Sequence, residues 1–344
     1  MGGTAGEAPP ALAPVVPAGV AAPPPLPLPL EGGGATRSLR IDSPCSGRGA
    51  LVRPGVLNID KPAGATSFSV VAQLRRVTGA RRVGHAGTLD PLATGVLPIL
   101  FEGATRLSEF ALRLPKTYEA DVHLGFRTTT DDAEGEPEPV APASEVSEDD
   151  VRRGLSRFVG RIKQEPPAFS AVKIDGQRSY KRARHGDLTR PAARLVEIHS
   201  AELLGFRPGE RPVARVRVTC GSGTYLRSLA RDLGEALGVG GYLGQLTRTA
   251  YGTLRVEDAV RPDLLTDAAA VREHLLPAEA VLPDMQPVRL TAEQEAQVRQ
   301  GRPVRVLPEP QPGPVRAHDD RGHLVALGHT DPLRRTFVPD KVLG

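Results

Sequence analysis

Residues 84–99 read GHAGTLDPLATGVLPI and place one carboxylate, Asp90, in a short loop bounded by glycines and prolines. Gly84 and Gly87 admit backbone angles that other residues resist, and Pro91 fixes the turn just after the acid. Gly95 then opens an apolar run, Val96 to Phe101, which reads as a buried strand. An isolated Asp-Pro step would only start a turn. An acid held rigidly in this longer string is a candidate site residue.

Outward from the loop, strand and helix periods alternate, which predicts a mixed α/β chain. Val70, Val71, Leu74 and Val77 fall on one helical face behind a Thr66/Ser67 cap. Tyr118, Ala120, Val122 and Leu124 share one face of a strand, so Tyr118 is expected to face inward. Ser147 and Asp150 have capping-box spacing ahead of a helix whose Val151, Leu155 and Phe158 face the core. Residues 131–150 hold nine acids and no base, which predicts a solvent-exposed loop apart from its first acids. Asp175-Gly176 is a tight-turn signal, so the basic segment 166–184 should project as a hairpin followed by a short helix. Residues 213–220 read as a strand. Thr224 is placed to cap a helix bearing Leu226, Leu229, Leu233 and Leu237 and ended by Gly238, which puts Tyr225 and Arg227 in its first turn.

At 344 residues the chain exceeds one average domain. Three segments are expected: a disordered Pro/Gly/Ala-rich tail at 1–53, a main domain at 54–282 and a small domain at 283–344. The first thirty residues carry nine prolines and a single charge, Glu7, and lack the basic start of a signal peptide. After Pro283 the sequence restarts with a capped helix from Thr291 and short strands around an Asp-Asp-Arg-Gly turn at 319–322.

Hydrophobic residues make up 40% of the chain, yet no run of about eighteen apolar residues offers a membrane span. Two cysteines, Cys45 and Cys220, rule out a disulfide framework or a zinc cluster, and no HExxH spacing occurs. A reducing, cytoplasmic setting is expected. The net charge of +4 says little. Its distribution says more: residues 161–195 hold nine basic side chains against three acidic ones, with Tyr180 among them, the pattern of a phosphate-contacting surface.

The Asp90 loop closely resembles the GHxGxLDPxAxGxLP motif of the TruB family, the tRNA pseudouridine-55 synthases. LNIDKPAGATS (57–67), KTYEADVHLG (116–125), RTTTDDAEGE (127–136), PPAFSAVKIDGQRSYKRAR (166–184), GSGTYLRSLARDLGEALG (221–238) and LTRTAYG (246–252) match further family blocks in order. Phe169 stands where tyrosine is common, and Glu134 where aspartate often stands.

The resemblance implies the pseudouridine-synthase fold, an α+β architecture with a mixed, largely antiparallel sheet flanked by helices, followed by a C-terminal β-barrel of PUA type. It implies isomerisation of uridine in the T-stem loop of tRNA, by a monomer needing neither cofactor nor metal. Asp90 becomes the catalytic residue and Arg227 its cationic partner, since a buried carboxylate stays charged only beside a cation. Tyr118 would stack on the flipped base, Tyr225 and Leu246 line its pocket, His85 fill the vacated space and Asp132 lie nearby. Lys181, Arg182 and Arg184 would meet phosphates, and Lys61 would be structural. One other reading stays open, an RNA-binding or tRNA-folding factor with catalysis secondary; a glycoside hydrolase would need a second acid near Asp90, and Glu102 and Glu109, nearby in sequence, fall on an ordinary strand end and helix.

Overall fold

A computed structural model describes residues 52–174, 176–307, 311–331 and 333–343. The predicted disordered tail lies outside the described residues up to residue 51, as does Asp175 of the predicted turn.

Strand β1 (Gly55–Lys61) leads to helix α1 (Ser67–Thr78), which begins where the Thr66 hydroxyl accepts from Ser69 N and ends at Gly79, φ 64°. Strand β2 (Val83–His85), the Asp90 loop and β3 (Thr94–Phe101) follow. The near-continuous apolar run of β3 reflects burial of both its faces. Leu97, Ile99 and Phe101 enter one core with α1, while Val96 and Leu100 enter a second with Val56, Leu107 and Tyr251.

Helix α2 (Ser108–Arg113) precedes β4 (Lys116–Leu124), whose Ala120, Val122 and Leu124 are buried as their alternation predicts. The acidic stretch forms a small ribbon, β5 (Phe126–Arg127) with β6 (Glu138–Pro139), and then α3 (Glu148–Ser156) behind the expected Ser147/Asp150 capping box. Phe158 packs on the core from just beyond that helix.

Strand β7 (Gly160–Gln164) is followed by the hairpin β8 (Lys173–Ile174) and β9 (Gln177–Arg178), then α4 (Ser179–Arg184), as the basic segment predicted. Long strands β10 (Arg194–Arg207) and β11 (Val213–Cys220) lead to α5 (Leu226–Ala236) and β12 (Gly241–Tyr251). Thr224 does not cap α5. Its hydroxyl closes its own loop on Gly221 O at 3.3 Å, and Gln164 instead clamps both backbone polar groups of Tyr225 (2.8 and 3.1 Å).

Strand β13 (Leu254–Arg255), helix α6 (Ala268–Glu273) and strand β14 (Leu275–Leu276) complete this part. The main sheet has ten strands, ordered β14-β1-β3-β12-β4-β11-β10-β7 along its spine. Its pairings are antiparallel except β3 with β12. That parallel contact sets the Asp90 loop beside β4 and the start of α5.

Beyond it, β15 (Gln286–Arg289), α7 (Ala292–Arg299), β16 (Pro314–His318), β17 (Leu324–Asp331) and β18 (Thr336–Val342) form a four-stranded sheet with its own core. The expected closed barrel is not what the described residues form. The sheet runs openly from β15 to β18, and Val304, from the segment between α7 and β16, bridges to Phe337 of β18. Leu327 inserts into the second core of the main sheet, Arg106 donates to Val342 O (3.1 Å), and Lys341 pairs with Glu109.

Candidate active site

Asp90 sits in a loop fastened on three sides. Lys61, fully buried, donates from Nζ to the carbonyls of Pro62 (2.9 Å), Ala65 (2.7 Å) and Pro91 (3.2 Å), which joins the end of β1 to the residue after the acid. Burial lowers its pKa to about 8, with Asp90 opposing the fall and Arg248 adding to it. The Ser67 hydroxyl accepts from Leu89 N (2.9 Å) and donates to Leu89 O (3.1 Å), bolting the start of α1 to the residue before the acid. Arg248 of β12, 1% exposed, reaches Val96 O from Nε (2.6 Å) and Gly87 O from its terminal nitrogen (3.1 Å). Gly95 is required here: its φ is 95°, and a Cβ would lie 2.3 Å from Arg248 O.

Arg227 projects from the first turn of α5, where the helix dipole disfavours a cation. Two carboxylates compensate. Its guanidinium meets Asp90 at 2.9 Å and Asp132 at 3.5 Å, and donates to Thr130 O at 3.4 Å. The Arg227 side chain is only 6% exposed and that of Asp90 36%, so the charge pair has a covered side and an open side.

Asp132 is fixed by the Thr130 hydroxyl (2.6 Å) and Glu134 N (3.1 Å). Its neighbour Asp131, at φ 60°, turns instead to Arg231 (2.9 Å) and Arg190 (3.3 Å). Burial raises the pKa of both acids, while arginine charges and hydrogen bonds pull them back.

These groups open into a cavity of about 710 Å³ lined by Asp90, Arg227, Asp132, Tyr118, Tyr225, His85 and Leu246 among others. Every one of the seven pocket residues expected from the sequence is therefore gathered in one place. Tyr118 is half-buried, its ring centroid 6.0 Å from the Arg248 guanidinium. Burial raises its hydroxyl pKa against the pull of Arg248. Tyr225 packs under Arg194 at 5.1 Å. Burial, then the Arg248 charge, lowers the pKa of His85, which favours neutral imidazole.

Arg184 reaches this cavity and stacks on Tyr180 at 5.6 Å. Lys181 and Arg182 line a separate basic hollow, where Arg182 pairs with Asp187 at 2.7 Å. Glu102 accepts from Arg81 N (2.8 Å) and Glu109 pairs with Lys341, and neither lines the cavity, so neither can be the second acid of a hydrolase.

Arg248 and Lys116 were not singled out from the sequence, although both line the cavity. Arg248 had a signal. It stands on the buried phase of an alternating strand, between Leu246 and Ala250, where an unpaired charge is untenable. Chemically, the arrangement offers one carboxylate for attack or proton removal, a fixed guanidinium behind it and aromatic faces for a planar ring.

Two family models match the chain: the TruB family pseudouridylate synthase N-terminal domain over residues 75–226, and the tRNA pseudouridylate synthase B C-terminal domain over residues 227–283. A tRNA pseudouridine synthase B of Thermobifida fusca is 47% identical over 279 residues, spanning 79% of this chain and 93% of that protein. One from Synechococcus elongatus is 43% identical, spanning 80% and 93%. Among solved structures, a chain in a Cbf5-Nop10-Gar1 complex superposes with TM-score 0.62 at 28% identity, covering 84% of this chain and 85% of that one.

Proposed function

The chain belongs to the TruB family of pseudouridylate synthases and isomerises uridine to pseudouridine in tRNA, and we propose that it acts on a T-loop uridine with Asp90 as catalytic residue. The reaction breaks the bond from the base nitrogen to the sugar, turns the base and joins its C5 to the same sugar carbon, with loss of the C5 proton. Nothing is oxidised or added, so acid/base or nucleophilic chemistry from one carboxylate suffices. Asp90 either attacks the sugar carbon or removes a sugar proton.

The observation that carries this reading is the 2.9 Å Arg227–Asp90 pair at the floor of a cavity walled by Tyr118 and Tyr225. A base inside folded tRNA has to leave its stack to reach such a floor, and an aromatic face stabilises it there by about 1 to 3 kcal/mol. In this account Tyr118 stacks on the flipped uracil, Tyr225 and Leu246 bound it, His85 occupies the space it leaves and Asp132 holds Arg227 in place. Arg184 and the exposed Lys181 meet phosphates, with Arg182 contributing less because Asp187 engages it.

Residues 54–282 form the catalytic unit in this reading, and 283–344 a PUA-type RNA-binding module, in a cytoplasmic monomer. Mapping pseudouridine at single-nucleotide resolution in an unmodified tRNA transcript, before and after incubation with the protein, tests the proposal. One new pseudouridine in the T loop is expected; conversion elsewhere or none would overturn it.

A further inference from the structure

Of the eight phenylalanines in the chain, Phe68 is the only exposed one, at 75%. It lies in the first turn of α1, whose Val70, Val71 and Leu74 are buried, and it points away from that face. A lone exposed apolar side chain is ordinary, and a polar residue here would cost the fold nothing. What sets Phe68 apart is its place. The ring borders the Asp90 cavity, and the residues on either side of it in sequence tie it there. Thr66 caps the helix at Ser69 N (3.0 Å), and the buried Ser67 side chain is doubly bonded to Leu89, the residue before Asp90. The backbone that carries the ring is thus tied to the loop of the catalytic carboxylate. Arg178, Arg184 and Arg194 border the same cavity, so the molecule that passes this ring is a polyanion.

We propose that Phe68 is a stacking platform for the base adjacent in the strand to the uridine that enters the cavity. The proposal rests on the tRNA reading above. A flipped uridine leaves its neighbour without a stacking partner on one side, and a rigid aromatic face at the cavity mouth replaces it. Any base has a π-face, so the platform positions the strand without reading its sequence. Phe68 is therefore a positioning residue whose effect falls on substrate binding.

Two measurements on the full-length protein test this. The sequence contains no tryptophan, so Phe68→Trp gives the chain a single indole reporter at this position. Titration with an unmodified tRNA transcript should quench its emission saturably; unchanged emission while filter retention shows the RNA bound would overturn the proposal. In steady state, Phe68→Ala should raise KM about fivefold or more, the lower end of base–aromatic stacking, with a much smaller effect on kcat, and Phe68→Tyr should restore it. A change in KM below about threefold, or a drop of several degrees in Tm for Phe68→Ala, would reassign the ring to an inert surface or to packing. A wild-type protein that forms no pseudouridine in the transcript would defeat the function itself. A wild type that does, beside an unaltered Phe68→Ala, would defeat only the platform.

Discussion

Replacing Arg227 with lysine keeps the charge and removes the fork, which separates what the guanidinium does for Asp90 from what any cation would do. The fork spans Asp90 at 2.9 Å, Asp132 at 3.5 Å and Thr130 O at 3.4 Å. An ammonium is a point charge and cannot serve both carboxylates in one plane. Losing one hydrogen bond to a charged group costs about 1.5 to 3 kcal/mol. If that loss is felt mainly in the transition state, turnover falls between about tenfold and about a hundredfold. Affinity should hardly move, because the Arg227 side chain is 6% exposed while Arg184 and Lys181 lie open to phosphates. Single-turnover pseudouridine formation at saturating enzyme reports the first quantity, and filter binding to unmodified tRNA the second. Equal losses of affinity and turnover would show that Arg227 grips RNA, and unchanged turnover would show that the planar fork is irrelevant.

Three further outcomes are expected. Changing Lys181, Arg182 and Arg184 together to alanine should flatten the log-log salt dependence of tRNA binding by about two units rather than three, since Arg182 is already neutralised by Asp187; an unchanged slope would assign these residues to a solvated face. Arg248→Met should reduce stability by about 2 to 4 kcal/mol, measured by urea unfolding, because two carbonyls flanking the Asp90 loop lose charged donors. Lys61 holds its proton less tightly folded, at about 8, than unfolded, at 10.5, so its contribution to stability rises as pH climbs between those values. Wild type should accordingly gain stability relative to Lys61→Met from pH 8 to pH 10, and urea midpoints that run parallel would contradict the linkage.

Local signals were legible wherever chemistry repeats with the period of an element. The Thr66 and Ser147 caps, the alternation of β4, the hairpin at 173–178 and the apolar β3 all follow from short-range pattern. Thr224 misled because a hydroxyl beside a helix start can serve either the helix or its own loop, and the competing partner, Gln164, comes from 61 residues away. Closure of the C-terminal sheet was not legible for a related reason: it depends on pairing between distant strands, which no local period encodes, and the described residues show that sheet open.

Most of the pocket was readable because the motifs quote its residues. Arg248 was missed, since its meaning lies in the parallel β3–β12 contact that brings it to Gly87 and Val96. Phe68 carries no periodic signal at all, and its significance is visible only once the start of α1 is seen at the cavity mouth.

The account stands on Asp90 as the group that performs the isomerisation. Asp90→Asn removes the charge while keeping the shape, so the most direct measurement sets its single-turnover pseudouridine yield beside its affinity for the same unmodified tRNA. No product, with binding retained within about tenfold, is the predicted result. Product formed at a rate comparable to wild type would contradict the central claim.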